Sequence, residues 1–96
     1  MSSYKWSESA ATDLQRIAEF IREFNPELEQ RIIGAIIERA TILRRFPRLG
    51  TRREVDENGT ELRTLLAGSR YRLIYQVTVA NEIVILQVLD VRSEPR

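Results

Sequence analysis

The first half of the chain has the hydrophobic spacing of an α-helix. Apolar residues recur every three or four positions from Ala10 through Leu14 and Ile17 to Ile21, which is one face of a helix. Ser7 precedes them and is a suitable N-cap. Upstream, residues 4–6 read YKW, which is typical of a short strand. The pattern therefore predicts a strand followed by a helix that ends near Phe24.

A second helix is predicted from about Glu27 to about Arg45. Asn25 and Pro26 precede it; this pair ends the first helix, because proline disfavours the α conformation in the residue before it, and caps the second. Pro47 ends the second helix. Its apolar stripe, with Ile33, Ile37 and Ala40 added at the margins, is wider than one antiparallel neighbour needs. We therefore expect a helical hairpin that also packs on a sheet.

After Thr60 the period of the pattern changes from about 3.6 residues to 2. Three segments follow with short connections between them: ELRTLLA, RYRLIYQVTV and EIVILQVLDV. They predict a β-meander whose middle strand places residues 71, 73, 75, 77 and 79 on one face. Residues 47–60 read as a polar loop with a turn at Asn58-Gly59. The expected order is β-α-α-β-β-β, an α+β fold with a helical hairpin on an antiparallel sheet, in a single domain spanning residues 1–96.

Composition narrows the available chemistry. The 96 residues include no cysteine and no histidine, and the formal net charge is +1. Zinc sites, thiol nucleophiles and Ser-His triads therefore lack their usual residues, so we expect no metal and no cofactor. No apolar run approaches the ~20 residues of a membrane span, and the N-terminus lacks a secretory pattern. Cytoplasmic location is the default expectation.

Arginine is the remaining chemical signal, since Lys5 is the only lysine among 15 basic residues. Guanidinium groups suit carboxylates and phosphates. We expect strand pairing to bring Arg63 close to Arg72, where two like charges would need an anion or acid between them. Glu61, Glu82 or Asp90 could supply a structural acid; a partner carboxylate or a nucleic-acid phosphate could supply a functional anion. The candidate binding residues are Arg52, Arg53, Arg63, Arg70, Arg72 and Arg92.

Several short motifs, taken together and in order, resemble the RelE/ParE superfamily of type II toxin–antitoxin toxins. They are AATDLQRIAEFI in the first helix, LRRFPRLGTRR after the second, and ELRTL, YRLIY and IVILQVLDVR in the strands. The resemblance covers nearly the whole chain. It implies a toxin of the plasmid-stabilisation type that is held inactive by binding a cognate antitoxin.

The branch within the superfamily decides the implied activity. RelE-like members are ribosome-dependent mRNA endonucleases that use basic residues with a histidine or tyrosine near the C-terminal end. Here Asp90 stands where many relatives have histidine, and no tyrosine follows Tyr75. The resemblance therefore favours a ParE-like inhibitor of DNA gyrase without catalytic residues. An mRNA endonuclease using Arg63, Arg72 and Arg92 is the alternative, and a binding module without toxicity is a third.

The resemblance also implies the partners. We expect a ParD-like antitoxin of the ribbon-helix-helix type, forming a hetero-oligomer with this chain, and DNA gyrase as the target. Neither a membrane nor sequence-specific binding to nucleic acid is expected.

Overall fold

The computed structural model describes residues 3–93. Its elements are β1 (Tyr4–Trp6), α1 (Glu8–Phe24), α2 (Pro26–Ile42), β2 (Thr51–Val55), β3 (Glu61–Ala67), β4 (Tyr71–Val77) and β5 (Ile83–Asp90), followed by a 3-10 turn at Val91–Ser93. The five strands form one sheet in the order β1-β5-β4-β3-β2. The predicted α+β fold, a helical hairpin on a mainly antiparallel sheet, is confirmed.

The helical hairpin forms through Asn25, as its sequence predicts. The Asn25 backbone N–H donates to the Ile21 carbonyl and closes α1. The Asn25 Oδ1 atom accepts hydrogen bonds from the backbone N–H groups of Glu27 and Leu28, at 3.1 and 3.2 Å, and opens α2. One asparagine thus caps both helices and fixes the angle of the connection. The second helix ends at Ile42 rather than near Arg45, because the Leu43 N–H turns back to the Ala40 and Thr41 carbonyls.

The strand that sequence analysis missed is β2. Residues 51–55 lay in a predicted loop, yet they pair antiparallel with β3. All five residues of β2 are exposed, so the strand has no buried alternate positions to produce a period of 2. The predicted turn at Asn58-Gly59 is confirmed, and it connects β2 to β3 as a hairpin. There the Asp56 Oδ1 atom accepts from the N–H groups of Asn58 and Thr60, both at 2.9 Å.

Strand β1 is the only parallel member of the sheet in the described chain, pairing with β5 through Tyr4 and Ile83. Beyond that pairing, α1 covers the edge of β5. The Ser7 hydroxyl donates to the Leu86 carbonyl at 3.1 Å, and the Asp13 carboxylate accepts from the Val88 N–H at 3.0 Å. A β-bulge in β5 lies at the same place. The bulge keeps Ile85 and Val88 both on the buried side.

The core lies between the helices and one face of the sheet. On β4 the predicted face is confirmed for residues 71, 73, 75 and 77, which are all buried, whereas Val79 lies beyond the strand and is exposed. Most of the buried core consists of Ala10, Ile36, Ala40, Leu43, Leu65, Ala67, Tyr71, Leu73, Tyr75, Val77, Ile83, Ile85 and Val88. No helix of residues 3–93 packs on the opposite face, which we call the open face. Neither helix is long and apolar enough to cross a membrane within the described chain.

Candidate functional site

The expected meeting of Arg63 and Arg72 is wrong. Arg63 pairs with Tyr75, and Arg72 pairs with Leu66 and Leu89. Because residues that pair across a sheet share a face, Arg63 lies on the helix side and Arg72 on the open face. The six candidate arginines instead fall into three groups at different places on the sheet.

The first group surrounds Arg63, whose side chain is only 13% exposed. Its guanidinium donates to the Glu61 carboxylate at 2.6 Å and to the carbonyls of Arg48 and Gly50. Arg48 donates to the other oxygen of Glu61 at 2.7 Å. These hydrogen bonds, from Arg48 first and then Arg63, lower the pKa of Glu61. The structural acid anticipated for Arg63 is therefore Glu61.

Tyr75 lies beneath this group and fixes the connection between α2 and β2. Its hydroxyl donates to the Pro47 carbonyl and accepts from the Gly50 N–H, both at 2.9 Å. Burial raises the pKa of Tyr75. A Cβ atom on Gly50 would lie 2.8 Å from that hydroxyl and still closer to the Thr64 carbonyl. The proline and glycine of the PRLG segment are thus both held by one phenol, and we call this arrangement the Tyr75 lock.

Arg52 also belongs near the lock, since it pairs directly with Arg63 across β2 and β3. Like charges in this position repel each other. Glu61 binds Arg63 and offsets that repulsion, which leaves Arg52 exposed at the sheet edge. This group is therefore built mainly to hold the connection in place, with Arg52 as its accessible cation.

The second group occupies the open face. Arg53, displaced by a bulge in the β2–β3 pairing, donates to the Thr64 hydroxyl at 3.1 Å. Arg72 lies on the same face, where Leu62, Ile74 and Gln76 are half-buried and Leu66 is exposed. The open face therefore combines cations with apolar surface, a composition suited to protein contacts.

The third group lies where β4 begins and β5 ends. Arg70 Nε donates to Asp90 Oδ2 at 3.2 Å, and Arg92 approaches the same oxygen at 3.5 Å. Arg70 also stacks over the Tyr71 ring at 5.7 Å. Asp90 thus serves as the acceptor for two arginines. Sequence analysis did not identify Arg16 of α1, which lines a groove together with Arg70, Asp90 and Arg92.

Comparisons with known proteins agree with this architecture. Residues 4–95 match the family described as "ParE toxin of type II toxin-antitoxin system, parDE". The chain belongs to the ParE toxin family. This match covers all the elements that carry the three groups of arginines.

A solved structure supports the assignment. This ParE family member matches a chain of the "Chromosomal ParDE TA system from P. aeruginosa" with a TM-score of 0.73 and 26% identity. The match covers 94% of this chain and 96% of the other. Curated proteins give no significant match. The predicted toxin of a type II toxin–antitoxin system is thus confirmed at the level of family and fold.

Proposed function

We propose that this ParE family member inhibits DNA gyrase and is neutralised by a cognate antitoxin. Family membership supports the toxin assignment. The choice of gyrase over mRNA is supported by the chemistry of the open face. RNA cleavage needs a group that can exchange a proton near the basic residues. The observation that carries the choice is the position of the tyrosines relative to Arg72.

Tyr71 and Tyr75 lie on the helix side of β4, while Arg72 lies on the open face. Burial raises the pKa of both phenols, and the Tyr75 hydroxyl is engaged by Pro47 and Gly50. An arginine has a pKa above 12 and is a poor proton donor or base near neutral pH. Arg72 therefore has neither buried phenol on its own face of the sheet, and this supports a binding role over acid–base catalysis at Arg72.

The antitoxin side of the proposal follows from the solved relative, whose title names a ParDE system. We propose a cytoplasmic hetero-oligomer with a ParD-like antitoxin of the ribbon-helix-helix type. A flexible acidic segment would suit the arginine groups described above, because charge complementarity increases association rates and specificity.

Induced expression in bacteria tests the function directly. We expect replication to stall, gyrase to be trapped on DNA, and co-expression of the antitoxin to restore growth. The matched control replaces Arg31, an exposed arginine of α2 that belongs to none of the three groups, by glutamine; it should remain as toxic as the parent. Prompt loss of intact mRNA with replication unaffected would favour the endonuclease. Normal growth with confirmed folded protein would favour a binding module without toxicity.

A further inference from the structure

A groove of about 370 Å³ lies between α1 and the ends of β4 and β5. We call it the terminal groove. Arg16, Ile17 and Phe20 line it from α1, and Arg70 and Asp90 line it from the sheet. It is separated from the Tyr75 lock by part of β4, because Tyr71, the first residue of that strand, lines the groove and Tyr75 lies four residues further along. A ligand here would leave the lock undisturbed.

Positive charge exceeds negative charge in the terminal groove. Among residues 3–93, the groove is lined by three guanidinium groups, those of Arg16, Arg70 and Arg92, and by one carboxylate, that of Asp90. Arg70 and Arg92 retain 35% and 64% side-chain exposure despite their contact with Asp90, and no ion pair is found for Arg16 among residues 3–93. Each guanidinium carries five N–H donors. Most of these donors are therefore available to an incoming anion.

An apolar ridge continues from the groove along α1. Phe20 lines the groove, and Phe24 lies one helical turn further on. The two rings pack edge to face with centroids 5.1 Å apart, yet the residues are 55% and 72% exposed. Arg16, Phe20 and Phe24 follow a spacing of four residues, so a cation and two aromatic rings share one stripe of the helix. Adjacent exposed aromatic residues of this kind mark interaction surfaces.

We propose that the terminal groove and the Phe20–Phe24 ridge bind a peptide segment of the antitoxin. The segment carries a carboxylate side chain, which the arginines bind, followed within one helical turn by a large apolar side chain, which packs on the ridge. This proposal rests on the proposed function only for the identity of the partner. The side chains expected in the ligand are inferred from the charge and exposure of the groove and the ridge.

A nucleic acid fits the same surface less well. Its backbone carries a charge at every nucleotide, whereas the cations here are confined to one end of the ridge. Glu19 and Glu23 lie on α1 beside Phe20 and Phe24. These carboxylates would repel a phosphate chain that continued along the ridge, but they leave room for an apolar side chain. The charge pattern thus selects a localised carboxylate.

Titration of the ¹⁵N-labelled full chain, followed by NMR, tests the proposal. The probe is the peptide Ac-Glu-Ala-Ala-Leu-Phe-amide, and its control has glutamine in place of glutamate. We expect the acidic peptide to shift the amide signals of Arg16, Phe20 and Tyr71, and the neutral peptide to bind about fivefold more weakly, the effect of one exposed ion pair. Equal binding of the two peptides, or signals shifting only elsewhere, would overturn the proposal.

Charge variants sharpen the test. Arg16→Gln should weaken the acidic peptide by about fivefold, whereas Arg31→Gln, which removes the same charge from α2, should bind normally. Asp90→Asn should tighten binding, because it removes the carboxylate that competes for Arg70 and Arg92. Unchanged affinity in both groove variants would contradict the assignment.

A short oligothymidylate is the second probe. If it shifts the same signals and binds more tightly than the acidic peptide, the groove is a nucleic-acid site and the proposal fails. These titrations do not depend on gyrase. If the peptide does not bind, the proposal of gyrase inhibition is unaffected. If the chain does not trap gyrase, the result of the peptide titrations is unaffected.

Discussion

Replacing Tyr75 by phenylalanine removes one oxygen atom from the Tyr75 lock. The ring can stay in place, because its site is completely buried and fits the shared carbon skeleton. What changes is hydrogen bonding. The Gly50 N–H loses its acceptor and the Pro47 carbonyl loses its donor, each from a bond of 2.9 Å.

The size of the effect follows from where those two groups lie. Gly50 is buried, and a buried N–H left without a partner costs about 1–3 kcal/mol. The Pro47 carbonyl is in a partly buried environment and can regain water, so it adds less. We expect the free energy of unfolding to fall by about 2–3 kcal/mol in total. In a domain of this size that change lowers Tm by roughly 8–24 °C.

Urea unfolding followed by circular dichroism measures the change. The control is Tyr71→Phe, which changes another buried tyrosine on the same face of β4, one that lines the terminal groove. We expect the control to lose less than about 0.5 kcal/mol. If Tyr75→Phe is as stable as the control, the lock is not a stabilising element and the reasoning is refuted.

Four other substitutions probe the rest of the structure. Gly50→Ala should lower Tm, since its Cβ would collide with the lock, and a Tm equal to the parent's would contradict that geometry. Ile36→Ala should lower the free energy of unfolding in urea by about 2–5 kcal/mol, because Ile36 is 1% exposed in the core. A smaller loss would mean that neighbouring side chains move in and fill the cavity. Glu61→Gln should flatten the dependence of stability on pH in acid. The folded pKa of Glu61 is lowered, so its contribution is present above its unfolded pKa and is lost as pH falls through the folded pKa; an unchanged acid profile would argue against this. Arg72→Ala should weaken toxicity or antitoxin binding while Tm stays close to the parent's, and a large fall in Tm would show a structural role.

Arg63 changes its expected role once its contacts are known. From the sequence, Arg63→Ala was expected to affect binding and leave the fold intact. The structure gives its guanidinium two backbone carbonyls and a carboxylate as acceptors. We now expect the substitution to lower Tm, because the Gly50 carbonyl and the Glu61 carboxylate both lose a hydrogen-bond donor. A variant with reduced toxicity and an unchanged Tm would restore the original expectation.

The regular elements were predictable because burial imposes a period on the sequence. Strand β3 was predicted with the bounds it has, and the predicted ends of β4 and β5 differ from the observed ones by at most two residues. The helical hairpin was predictable because Asn25 and Pro26 act locally. Strand β2 was not, since both its faces meet solvent. Its conformation is fixed by pairing with β3, and such pairing produces no alternation of apolar and polar residues within residues 51–55.

The candidate site was predictable in residue type but not in arrangement. The excess of arginine is visible in the sequence, but which arginines meet depends on register. Sequence analysis assumed a pairing that placed Arg63 beside Arg72, whereas the observed register pairs Arg72 with Leu66. Arg16 could have been found from its spacing of four residues to Phe20 and Phe24, a cation followed by aromatics on a helix face otherwise expected to be polar.

The parallel pairing of β1 with β5 has a consequence for the order of folding. Tyr4 and Ile83 are neighbours in the sheet although they lie at opposite ends of the chain. Contacts between such distant residues close the longest loops and slow folding. During synthesis β1 therefore cannot pair until β5 has been made. The hydrogen bonds from Ser7 and Asp13 to the edge of β5 can form only after translation has passed Val88. The sheet therefore reaches its full strand order only after β5 has been synthesised.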